Sequence, residues 1–113
     1  MTETKSKKTK QEENVVKMED KKNVRELSRP VQFEGKEYKT LTVDFEKLTG
    51  ADLEDAIAEV QAGGHMVMVA ETDKTYLGAV VAKAAGVNSD FMRYTAARDY
   101  MRLTAEARDF LSF

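Results

Sequence analysis

Cysteine and tryptophan are absent from this chain, and proline and histidine occur once each, as Pro30 and His65. Without cysteine there is no disulfide framework and no thiolate chemistry, which suits a reducing cytoplasm. A single histidine leaves no Ser/His or Cys/His nucleophilic pair that does not use His65, and too few nitrogen and sulfur ligands for a zinc or iron site. No apolar run approaches the ~18 residues needed to span a bilayer, and the charged N-terminus is followed by no apolar segment of a secretion signal. On these absences the chain is expected to be soluble and unexported.

What is present is one domain's worth of sequence, 113 residues, with charge spread unevenly. Residues 1–29 carry nine Lys/Arg against six Asp/Glu, a balance of +3, while residues 30–113 carry nine against fourteen, a balance of −5. A net acidic folded part argues against nucleic acid as the main partner, because phosphate binding requires a basic face. The alternative function, a small nucleic-acid-binding regulator, would have to use the basic N-terminal tail. From Met1 to about Lys22, Val15, Val16 and Met18 are the only large apolar residues after the initiator, and they follow no period. Such a stretch does not offset its ordering entropy, so residues 1–24 are expected to be a disordered charged tail, with a transient helix near Val15 at most. Residues 25–113 are expected to form the single domain.

After Pro30, the alternation of Val31 and Phe33 and of Leu41, Val43 and Phe45 around "EGKEY" predicts a β-hairpin. A three-residue loop, Gly35 to Glu37, would pair Val31 with Leu41 and keep both on one face; a two-residue Gly35-Lys36 turn would separate them. Thr49 followed by Asp52 predicts a capping box, and Leu53, Ala56, Ile57 and Val60 form a helical stripe that ends at Gly63-Gly64. The run "HMVMVA" is expected to be buried, as a short strand or a packed loop. A second helix is expected from Asp73 to Ala85, with Thr72 as cap candidate and Gly86 as stop. Its apolar residues cover more than one face, which makes it either the central helix of the core or an interface. A short helical turn over Ser89–Tyr94 and a longer helix over about 95–111 complete the chain. The fold class expected is α+β, with a hairpin packed on three to four helices.

The last helix has an apolar sector about half its circumference wide, opposite Asp99, Arg102, Glu106 and Asp109. A helix packed on one core needs ~100°. No pattern in the chain is a reagent: "QAGGH" lacks the Lys-Ser/Thr of a phosphate loop, and the acidic pairs in "DLED" and "ETD" read as solvent face and helix-start charge. The aromatic residues fall on core faces rather than among Lys and Arg, which speaks for packing over base stacking. No cofactor and no catalytic residue is expected.

The ordered segments "RPVQFEGKEYKTLTVDFEKLTGADLEDA", "KTYLGAVVAKAAGV" and "YTAARDYMRLTAEARDFL" resemble a tail assembly chaperone of long-tailed bacteriophages or prophages. The resemblance covers residues 27–111. It implies a non-enzymatic protein of the host cytoplasm, absent from the mature virion. Such a protein binds the tape-measure protein, keeps it soluble and assists polymerisation of the tail tube. It further implies contact with the tail-tube protein through a longer frameshifted form. On this reading Tyr76, Leu77, Tyr94, Tyr100, Met101, Leu103, Phe110 and Leu111 supply the partner surface, with self-association as a second use of the same apolar area. The plainer expectation for each of these side chains is the domain's own core.

Overall fold

The computed structural model describes residues 23–112. The expected tail therefore lies outside the described residues, except for Asn23 and Val24, as does Phe113. The elements are β1 (Val24–Phe33), β2 (Lys36–Thr42), α1 (Gly50–Ala62), α2 (Lys74–Ala85) and α3 (Ala97–Leu111), with 3-10 turns at Phe45–Lys47, Ala70–Thr72 and Ser89–Tyr94. The fold is α+β, as the patterning predicts: one antiparallel hairpin followed by helices.

The hairpin departs from its expected register. Phe33 pairs with Lys36 and Val31 with Tyr38, so the turn is the two-residue Glu34-Gly35 rather than a loop of Gly35 to Glu37. Both central residues have positive φ, 51° and 76°, the conformation of the hairpin turn whose twist matches its strands. The register is rescued further along. Four residues of β1, Leu27 to Pro30, stand opposite the single Lys39 between the Glu26–Thr40 and Val31–Tyr38 pairs. Pro30, which cannot donate to a ladder, sits in this bulge. The extra residues let Val31 and Leu41 both be buried although they are not partners; Leu41 pairs with Arg25. Strand β1 also begins well before Pro30, in a stretch whose charges hide its alternation.

Helix α1 starts at the expected capping box: Thr49 and Asp52 exchange hydrogen bonds through side chain and backbone. Its Ala56 and Val60 are buried and Leu53 and Ile57 are partly covered. Helix α2 is capped by Asp73, not Thr72; its carboxylate accepts from the Tyr76 amide at 3.0 Å. The left-handed Gly86 ends it. Of its residues, Tyr76 to Ala82 and Ala84 are all buried, so α2 is the central helix of the core, and the other elements consume its broad apolar surface. Phe91, in the last 3-10 turn, packs edge-on against Phe33 and Tyr38 of the hairpin, with ring centroids 5.5 and 4.9 Å apart.

Asp99 is the main departure in α3. Expected on the solvent face, it is 1% exposed, and its Oδ2 accepts from the Ser28 amide at 2.9 Å and the Ser28 hydroxyl at 3.0 Å. Its Oδ1 has no well-formed hydrogen bond and faces the Arg102 guanidinium at 3.4 Å. Arg102 in turn donates to the Glu26 carbonyl at 2.7 Å, and Arg25 pairs with Glu106 at 2.6 Å. The first half of β1 thus straps the polar side of α3. Burying a carboxylate is costly unless it is hydrogen-bonded, and the bulge supplies the donors.

Candidate functional site

The largest exposed apolar features of the described residues lie around the segment between α1 and α2. After Gly64, whose φ is 96°, the chain runs through His65 to Val69 without regular structure. The run "HMVMVA" is neither a strand nor buried: Met66 is 72% and Met68 79% exposed, Val69 is also exposed, and only Val67 and Ala70 are partly covered. His65 anchors its start, with Nε2 2.7 and 2.9 Å from the two carboxylate oxygens of Asp73. Burial works against ionisation of Asp73, but the Tyr76 amide and the His65 ring outweigh it and hold the carboxyl below its ordinary value of 3.8.

The loop leads into a groove of about 410 Å3 between the start of α2 and the end of α3. Leu53, Ala70, Tyr76, Leu77, Phe110 and Leu111 give it apolar walls, and Glu71 and Arg108 put one charge of each sign on its rim. Phe110 is 40% exposed and is held by stacking on Phe45, centroids 5.4 Å apart with 22° between the planes. Tyr76 and Leu77 are buried, so they form the floor and Phe110 a wall.

The residues expected at the partner surface therefore divide. Tyr76, Leu77, Phe110 and Leu111 come together at the groove. Leu103 is fully buried beneath α3 and presents no surface, because its side chain faces the core that α2 fills. Tyr94 and Met101 are exposed but do not line the groove; Tyr94 lies against Phe33, centroids 5.9 Å apart. Tyr100 is partly buried and donates its hydroxyl to the Lys74 carbonyl at 3.1 Å. Burial and the neighbouring Asp73 charge raise its phenol above the ordinary value. Met66 and Met68 were missed, because a short apolar run signals burial by default and only the packed fold shows that no element covers it.

A second cleft, of about 440 Å3, is lined by Glu59, His65, Thr75, Asp90, Arg93 and Tyr100, among others, and is as polar as it is apolar. Among the described residues no group of three or more His, Asp or Glu is placed to hold a metal ion, and no helix is long and apolar enough to cross a membrane.

A hairpin clamped on helices, with an open apolar groove and exposed methionines in the preceding loop, makes this a small α+β protein. The chain belongs to the family described as "Phage tail assembly chaperone proteins, E, or 41 or 14", whose sequence model matches residues 25–112. Neither the curated proteins nor the solved structures provide a match. The protein is thus a phage tail assembly chaperone by family, and its partners in tail assembly are proteins.

Proposed function

We propose that the protein binds the tape-measure protein in the host cytoplasm and keeps its helices soluble until tail-tube subunits polymerise around them, without catalysis. The tail-tube protein would be engaged through a longer frameshifted form. The observation that carries the reading is the groove floored by Tyr76 and Leu77 and walled by Phe110 and Leu111, beside Met66 and Met68. A long helix awaiting enclosure exposes apolar residues at i, i+3, i+4 and i+7, and such a stripe docks in an apolar groove. Methionine side chains adapt to the imperfect repeats of a long target. The rim charges, Glu71 and Arg108, suit the mixed polar flanks of an amphipathic helix. The acidic balance of residues 30–113 speaks for a polypeptide over a nucleic acid.

Co-expression with the tape-measure protein, followed by pull-down, tests this. Phe110→Asp, with its folding followed by melting temperature because the ring stacks on Phe45, is expected to reduce capture at least tenfold, as for an interface hot spot. Undiminished capture and tape-measure solubility with this variant would remove the groove from the function.

A further inference from the structure

The patch that holds the apolar groove also carries a knob. Val69 directly precedes Ala70, which lines the groove, and the step from Met68 to Ala70 spans at most about 7 Å, so the methionine loop lies beside the opening. The loop does not fill the groove of its own copy, since Met66 and Met68 stand in solvent. It is nevertheless held at both ends. The His65 amide donates to the Val60 carbonyl at 3.0 Å and the His65 ring meets the Asp73 carboxylate at 2.7 Å, while the Val69 carbonyl accepts from the Thr72 amide at 3.2 Å and from its hydroxyl at 3.3 Å. A loop pinned in this way loses little conformational freedom when it docks. Glu71 and Arg108 both line the groove, and among the described residues neither takes part in an ion pair.

We propose that free chains pair about a two-fold axis, the loop of Met66 and Met68 in each copy entering the groove of the other, with Glu71 of each copy facing Arg108 of the other. A surface that meets itself across a two-fold axis must hold both the knob and the hole, and both signs of each charge pair. This patch holds all four. A second copy is favoured as occupant because it brings a preformed apolar knob and the matching charges together. Pairing covers Met66, Met68 and Phe110 until a client helix arrives and splits the dimer. That competition, unlike the pairing itself, rests on the reading of the groove as the client site. A patch this small belongs with weak, transient interfaces, so the dimer is expected to have a dissociation constant of roughly 10–100 µM.

Sedimentation equilibrium of the full chain tests this. With rising concentration the mass is expected to climb from 12.7 kDa to twice that value and stop there. A mass that stays at 12.7 kDa up to about 1 mM, or that grows past the dimer, overturns the two-fold pair. Glu71→Arg alone and Arg108→Glu alone each set like charges against one another and are expected to weaken pairing at least about tenfold. Mixed in equal amounts, the two variants are expected to pair with each other as tightly as the native chain, because both contacts then join opposite signs. A dimer indifferent to the single changes, or one not recovered on mixing, overturns the interface; damage to the fold would not be repaired by a second damaged chain. A synthetic three-heptad helix with leucine at the a and d positions is then added to the native dimer, and the mass is expected to fall to one chain plus one peptide. If the peptide binds and leaves the dimer whole, the dimer does not use the groove and the proposal falls. If the peptide does not bind at all, the client reading fails, and the mixing experiment still decides the pairing.

Discussion

Asp99 ties the hairpin to α3 from a buried position, and its neighbours separate buried from exposed electrostatics. Its carboxylate serves two donors of Ser28 in near-complete burial, whereas the Arg25–Glu106 pair is partly open to solvent. Asp99→Asn is expected to destabilise the fold by about 2 kcal/mol and Glu106→Gln by less than about 1 kcal/mol, compared by urea unfolding. Asp73 supplies a pH dependence of known sign. Its folded-state carboxyl titrates below 3.8, so its stabilisation is complete above that value and is lost as the pH falls through the lower folded-state value. Between about pH 5 and pH 3 the wild-type chain is expected to lose stability more steeply than Asp73→Asn, and parallel pH profiles would count against the role of the cap. Of these two residues, sequence placed Asp73 correctly near a helix start but gave its capping role to Thr72. It put Asp99 in water, because a charge on the polar arc of a helix gives no hint that a strand from 71 residues away will cover it.

At the scale of elements, legibility followed how local the controlling physics is. The capping box of α1, the glycine stop of α2 and the amphipathic run of α3 rest on neighbours within a turn of helix, and the sequence shows all three. The hairpin register depended on a bulge of β1 residues opposite Lys39, and no rule of strict alternation anticipates it. In α2 the neighbour of Gly78 is the Tyr100 ring, and a Cβ at Gly78 would lie 3.5 Å from its hydroxyl, ordinary contact distance. Gly78→Ala is therefore expected to raise stability by about 0.5–1 kcal/mol through helix propensity, measured as an upward shift of the melting temperature. A bulkier residue there would push the ring away.

For the whole molecule, the sequence showed an excess of apolar surface but misplaced part of it. The wide faces of α2 are consumed within one copy, and the uncovered area belongs to the 65–69 loop, the groove and the exposed side of α3. Half of the groove was legible as Tyr76, Leu77, Phe110 and Leu111; Leu53, Ala70 and the methionine loop became visible only when chain segments far apart in sequence converged. Met66→Ser with Met68→Ser is expected to leave the melting temperature within about 2 °C, since both side chains are largely in solvent, while weakening capture of the tape-measure protein several-fold. A large drop in melting temperature would mean that the loop is a structural element after all.

Ser112 lines the groove, and the α3 residues just ahead of it form one of its walls. Any polypeptide fused behind Phe113, an affinity handle included, therefore sets out from the rim of the cleft. A handle at that end should crowd incoming clients and depress their recovery.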